Sequence, residues 1–95
     1  MAVHVRVPAD LRRFTDGRAV VDVELADAAP TLTHVLETLA NTCPGVVDRV
    51  LDERGNVRRH VNLFVGDEEV RALGGLGAIV PDGAEVSILP AVSGG

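Results

Sequence analysis

Two short runs near the start of the chain alternate apolar and polar residues with the period of a half-buried β-strand. They are Val3–Val7 and Val21–Leu25, with a turn signal at Asp16-Gly17 between them. This spacing predicts an antiparallel hairpin with a long loop. Because Phe14 and Phe64 are the only aromatic residues, the core must be built from Val, Leu, Ile and Ala.

One helical stripe follows the hairpin. Its apolar residues recur at helical spacing and are Leu32, Val35, Leu36 and Leu39. Thr31 or Thr33 can cap this helix at its start. Pro44 ends it near Asn41 to Cys43, because the residue before a proline avoids the helical conformation. Pro44-Gly45 can then open a short second helix.

The second half of the chain predicts more strands. Val61–Val65 is one strand, a short strand or extended segment runs through Glu69-Val70-Arg71, and Val86–Leu89 is the last. The residues from Ala72 to Ala78 read as a Gly-rich loop. The order is two strands, a helix, then two or three strands, which predicts an α+β chain. This count and order fit a ubiquitin-like β-grasp, a mixed sheet packed on one main helix.

The 95 residues predict one domain, with a β-grasp domain over residues 1–91 and a flexible tail over 92–95. The formal net charge of −5 opposes binding to phosphate backbones and anionic lipids, so we expect neither nucleic acid nor a membrane as a partner. No stretch is long and apolar enough to span a membrane, and no secretion signal is evident, so a cytoplasmic location is expected.

Several local features are explained best by structure or solvation. Cys43 is the only cysteine, which excludes an internal disulfide and predicts a partly buried structural thiol. The three histidines match no zinc pattern, so no metal is expected. Gly74-Gly75-Leu76-Gly77 lacks the Lys-Ser/Thr of a phosphate-binding loop. Arg58-Arg59-His60 could contact an acidic patch on a partner, although a solvated loop is the default interpretation.

The end of the chain resembles the MoaD/ThiS family of ubiquitin-like sulfur carriers. The segment Pro81–Val86 holds an Asp-Gly turn, and Leu89–Gly95 holds a proline and a closing Gly-Gly pair. The segment Val61–Arg71 with Gly74-Gly75-Leu76 is similar to the CysO branch in particular. The resemblance covers the whole chain in length and element order, and its specific motifs lie in Val61–Gly95.

The resemblance implies a cycle in which partner enzymes do the catalysis. An E1-like enzyme would use ATP to adenylate the Gly95 carboxylate, and a sulfur donor would displace AMP to leave a thiocarboxylate. A sulfur-accepting synthase, resembling a cysteine synthase or a thiosugar synthase, would then take the sulfur. A metalloprotease could release the product. The carrier itself would be no enzyme and would bind no cofactor.

The tail residues suit that chemistry. Val92, Ser93, Gly94 and Gly95 can extend about 13 Å into a partner's cleft. Gly94 and Gly95 have no Cβ, so the backbone fits a narrow channel and the acyl carbon stays open to attack. Pro90 stiffens the base of the tail and limits the entropy lost on insertion.

The parity of two strands points to a partner-binding surface. Neighbouring side chains in a strand point to opposite faces of the sheet. If the residues on either side of Phe64 and the residue before Leu89 face the helix, Phe64 and Leu89 point to the opposite face. In the resembling family the open sheet face docks on the activating enzyme, so we expect Phe64, Leu89 and Pro90 to bind the partner. The alternatives are a covering loop or a bulge that shifts the parity.

Other functions remain open from the sequence. A modifier would be conjugated through Gly95 to lysines of other proteins. A small subunit resembling that of molybdopterin synthase would complete a partner's active site with its tail. An interaction domain would make no use of its tail.

Overall fold

The computed structural model describes residues 2–26 and 29–90, with Pro90 described by its backbone alone. The strands of this part are β1 (Ala2–Arg6), β2 (Val20–Glu24), β3 (Val61–Val65), β4 (Glu68–Glu69) and β5 (Glu85–Pro90). Its α-helices are α1 (Leu32–Ala40) and α2 (Pro44–Val50). Short 3-10 helices span Ala9–Phe14, Val70–Leu73 and Gly75–Gly77.

The strands form one mixed sheet in the order β2-β1-β5-β3-β4. The β1–β2 hairpin is antiparallel, as the alternating runs predicted, and β5 lies parallel to β1 at the centre of the sheet. Strand β3 is antiparallel to both β5 and β4. This sheet with a main helix on one face confirms the predicted α+β class and the β-grasp arrangement.

The register brings the end of β5 and the start of β3 to one edge of the sheet. Pro90 at the end of β5 lies opposite Val61 at the start of β3. Strand β1 points to the same edge because it runs parallel to β5, but Arg6 at its end lies opposite Ser87, short of Pro90. We call the edge marked by Val61 and Pro90 the tail edge, because residues 91–95 follow Pro90 in the sequence.

Helix α1 forms where the sequence predicted it. Thr31 is its N-cap, and its Oγ1 accepts a hydrogen bond from the backbone N–H of His34 at 3.2 Å. The four apolar residues of the predicted stripe are all fully buried. They pack with the inward valines of the sheet, among them Val3, Val5 and Val86. Burial of this aliphatic layer against the sheet is the main force that holds α1 in place.

Three segments differ from the sequence predictions. The short strand ends at Glu69, and Val70 begins a 3-10 helix that buries its side chain in the core. The segment predicted as a Gly-rich loop holds tight 3-10 turns, with Gly74 and Gly75 at positive φ. The connection after β1 holds the 3-10 helix Ala9–Phe14, which turns Leu11 into the core. In each case burial of an apolar side chain or a glycine conformation overrode a weak local pattern.

Candidate functional site

One face of the sheet is not covered by the helices. Its side chains alternate with the core valines, and none of them is buried. We call this surface the open sheet face; its residues with described side chains are Ala2, His4, Arg6, Val20, Asp22, Glu24, Asn62, Phe64, Glu69, Glu85, Ser87 and Leu89. A sheet that is packed on one side and open on the other commonly offers its free face to solvent or to a partner.

Phe64 and Leu89 both lie on the open sheet face. Phe64 pairs with Ser87 and Leu89 pairs with Asn62, so the two apolar side chains are diagonal neighbours on adjacent strands. Leu89 is 43% exposed, whereas Phe64 is half-buried and lies outside the core. The register runs through β3 and β5 without a bulge, so the predicted parity is confirmed. Phe64 is nevertheless more enclosed than a freely projecting side chain would be.

Ion pairs occupy the part of the open sheet face beside this apolar pair. Arg6 on β1 donates from Nε to Oε1 of Glu85 on β5 at 3.2 Å, and from Nη2 to Oε2 at 3.3 Å. The hydrogen bond from Arg6 lowers the pKa of the Glu85 carboxyl, and the same pair raises the pKa of Arg6. His4 and Asp22 approach to 2.6 Å between Nδ1 and Oδ1 across β1 and β2. The face thus combines a small apolar patch with charged cross-strand pairs.

The predicted tail residues Val92, Ser93, Gly94 and Gly95 lie outside the described residues. The backbone of Pro90 belongs to β5 and pairs with Val61. The tail therefore starts at the tail edge, directly after the strand that carries Leu89. This proximity means that a protein docked on Leu89 is already beside the first residues of the tail.

The remaining candidates form no second reactive centre. Cys43 lies between α1 and α2 and is only 2% exposed, so the predicted partly buried thiol is in fact buried. Within residues 2–26 and 29–90, no three His, Cys, Asp or Glu side chains gather in a way that could hold a metal ion. In the same residues, no helix has the length and apolar character needed to cross a membrane.

The structure also joins residues that the sequence analysis left separate. Arg58 and His60 line an open groove of about 620 Å³ together with Arg13 and Arg49. Phe14 also lines this groove, and the Cζ atoms of Arg13 and Arg49 lie 4.8 and 5.7 Å from its ring centroid. The sequence analysis had identified only the cluster at residues 58–60. The other arginines come from two distant segments, so no local motif signalled them.

Comparison with known proteins identifies close relatives. The model of the ThiS family matches residues 5–95, which include the terminal Gly94-Gly95 pair. The chain is 39% identical over 97 residues to the sulfur carrier protein CysO of Mycobacterium tuberculosis, with 100% of both chains covered. It is 33% identical over 90 residues to small archaeal modifier protein 3 of Haloferax volcanii, covering 90% of this chain and 97% of that one.

The same comparison extends to solved structures. A chain in the crystal structure of the Amycolatopsis orientalis BexX/CysO complex superimposes with a TM-score of 0.84 at 36% identity. The match covers 98% of this chain and 99% of that chain. The similarity therefore reaches across the whole sheet, both helices and the tail edge.

Proposed function

The chain belongs to the ThiS family, and we propose that it is a sulfur carrier that works through the carboxylate of Gly95. The observation that supports this most is the full-length similarity to proteins named as sulfur carriers, in a family match that runs through Gly95. The carrier acts as a co-substrate, and its partner enzymes supply the catalysis. No cofactor is held by the carrier itself.

The first proposed step activates the tail. An oxygen of the Gly95 carboxylate attacks the α-phosphorus of ATP, which is held by an E1-like enzyme, and pyrophosphate leaves. The resulting acyl adenylate carries AMP as a good leaving group, whereas the carboxylate itself is a poor electrophile. A sulfur nucleophile then attacks the acyl carbon and AMP departs. The product is a thiocarboxylate at residue 95.

The second proposed step passes the sulfur to an accepting enzyme. The thiocarboxylate sulfur attacks an electrophilic carbon of the acceptor molecule and displaces that molecule's leaving group, which gives a thioester at residue 95. Water then hydrolyses the bond to the acyl carbon, so that the sulfur stays on the acceptor as a thiol and the carboxylate of Gly95 is restored. We propose a synthase that makes cysteine as the accepting enzyme, and a thiosugar synthase as the alternative. A metalloprotease is a further proposed partner where the product must be cut from the tail. Because the proposed cycle consumes ATP, we also propose a cytoplasmic location.

The described residues are consistent with a carrier that has no side-chain nucleophile. Cys43 is only 2% exposed and packs in the core, so a sulfur donor cannot reach it without local unfolding. The tail, in contrast, starts at the tail edge beside Leu89. We propose that Phe64, Leu89 and Pro90 dock on the activating enzyme and so deliver the tail to its cleft.

An adenylation assay tests the activation step. The purified chain is mixed with its E1-like enzyme and ATP, and the release of pyrophosphate is followed for the wild type and for a variant that lacks Gly95. We expect release that depends on the wild-type chain and is lost in the variant. Equal release from both proteins would show that the Gly95 carboxylate is not the reacting group.

A protein modifier is the second candidate function. The 33% identity to small archaeal modifier protein 3 favours it, because conjugation would use the same activated Gly95 carboxylate. Isopeptide-linked adducts in cell extracts, lost when Gly95 is deleted, would identify this role. Their absence in cells that contain the thiocarboxylate form would leave sulfur transfer as the single role.

A further inference from the structure

We propose that the arginine groove at the tail edge is a second docking surface, which binds an acidic segment of the enzyme that activates the tail. The groove is formed by the 3-10 helix Ala9–Phe14, by α2 and by the residues just before β3; its charged and aromatic lining is Asp10, Arg13, Phe14, Asp48, Arg49, Arg58 and His60. The inference rests on the proposed function, and it names a surface which that function does not require.

The position of the groove follows from the sheet register. The segment that ends at His60 leads into Val61, and Val61 lies opposite Pro90. The 3-10 helix Ala9–Phe14 follows β1, which runs parallel to β5 and points to the same edge. Two of the three segments that form the groove therefore adjoin the tail edge. Pro90, after which the tail begins, follows Leu89 of the apolar pair in the sequence and pairs with Val61, the residue after His60 of the groove.

The charge of the groove is the second argument. The whole chain has a formal net charge of −5, yet the lining of this groove holds three arginines against the two aspartates Asp10 and Asp48. The ion pairs found among residues 2–26 and 29–90 involve His4, Arg6 and Arg71, and none of them uses Arg13, Arg49 or Arg58. Guanidinium groups that form no ion pair within the described residues can attract carboxylates of a partner.

The groove is also held in shape by its own packing. The Phe14 ring lies against the backbone of Gly45 so closely that a Cβ on that glycine would be 2.3 Å from Cδ1. The guanidinium groups of Arg13 and Arg49 lie over this ring, which orients them by cation–π attraction. Arg58 is fixed separately, because its Nε donates to the carbonyl of Asp48 at 3.1 Å. The cations are thus presented at set positions before any partner arrives.

The lining favours an acidic protein segment over a phosphate group. Asp10 and Asp48 also line the groove, and their carboxylates repel a compact, multiply charged phosphate. An extended segment can place separate carboxylates beside separate arginines and can meet the two aspartates with its own N–H groups or cations. An enzyme cleft that admits the tail must approach the tail edge, so one of its walls comes close to this groove.

Association kinetics with the purified E1-like enzyme test the proposal, measured first in the absence of ATP and then in its presence. The double variant Arg13→Glu/Arg49→Glu reverses the charge of the two exposed arginines that lie over Phe14. The control, Arg18→Glu/Arg54→Glu, changes the net charge equally at exposed arginines outside the groove. The neutral variant Arg13→Gln/Arg49→Gln removes the two charges without adding carboxylates, in case the reversed variant fails to fold. Urea unfolding shows whether each protein is folded.

We expect the association rate of the reversed variant to fall roughly tenfold at low ionic strength, and that of the control to change less than about twofold. The neutral variant should fall between them. The difference should shrink as salt is added, because screening weakens steering by exposed charges.

Three results would overturn the proposal. Equal association rates for the reversed variant and the control would show that the groove is not used. Faster association of the reversed variant would assign the arginines to the chain's own tail carboxylate. An effect that appears only when ATP is present would assign them to nucleotide phosphate.

The docking proposal and the proposed function can fail separately. If the wild-type tail is adenylated at saturating enzyme, but the reversed variant and the control have equal association rates, the proposed function is supported and the docking surface is not. Groove-dependent association without any modification of Gly95 would support the docking surface and contradict the function.

Discussion

Phe64 and Leu89 lie diagonally across β3 and β5 on the face of the sheet that the helices leave open. Leu89 is 43% exposed, and it is the residue before Pro90 at the tail edge. We propose that this partly exposed apolar pair docks the enzyme that would receive the tail.

Replacement of this pair by serine should weaken adenylation with little effect on folding. For Phe64→Ser/Leu89→Ser we expect kcat/KM with the activating enzyme to fall by roughly 30-fold, about 2 kcal/mol, because buried apolar anchors dominate interfaces. The matched control is Ile79→Ser, since Ile79 is 55% exposed but lies outside the sheet strands. Unchanged kinetics for the double variant, or an equal loss in the control, would contradict this role.

The ion pair between Arg6 and Glu85 should contribute pH-dependent stability. The pKa of Glu85 is lowered in the folded state by its hydrogen bond with Arg6. Its contribution is therefore present above the ordinary carboxyl pKa of about 4.3, and it is lost as the pH falls through the lowered folded value. Arg6→Gln should lower the urea midpoint slightly near pH 7 and not at all near pH 2.

The size of that effect should be small, because both side chains are about half exposed. Arg59→Gln is the control, since Arg59 is exposed and removal of its charge breaks no ion pair in the described chain. A loss in Arg6→Gln that persists unchanged at low pH would show that the side chain stabilises the sheet by packing and not by pairing.

Gly45 should not tolerate even a methyl group. A Cβ at this position would lie 2.3 Å from Cδ1 of Phe14, so Gly45→Ala must displace the ring or the start of α2. We expect the free energy of unfolding to fall by about 1–3 kcal/mol, the usual cost of overpacking. The control is Gly77→Ala, where a Cβ would meet nothing within 4 Å. Urea unfolding of both variants measures the difference, and equal stability would contradict the close contact.

The strands and the main helix could be predicted because their patterns are periodic. Leu32 to Leu39 repeat with helical spacing, and the valines of β1 and β2 alternate, so one face of each element had to be buried. The parity of β3 placed Phe64 on the open sheet face for the same reason. The sequence offered Thr31 or Thr33 as the helix cap because of their hydroxyls, and the structure uses Thr31.

The parts that could not be predicted depend on contacts between distant segments. Val70 leaves the extended conformation and begins a 3-10 helix, in which its side chain is buried in the core. The arginine groove combines residues 13, 49 and 58, which no spacing rule connects. Only the fold, through the ring of Phe14 and the shared edge of β1, β3 and β5, brings them together.

The most direct test of the carrier function is the intact mass of the chain after incubation with an active E1-like enzyme, ATP and a sulfur donor. We predict an increase that equals the replacement of one oxygen by sulfur, located at residue 95 and lost in the variant without Gly95. An unchanged mass in the wild type, with an enzyme shown to be active on this chain's own relatives, would contradict the claim that the Gly95 carboxylate carries sulfur.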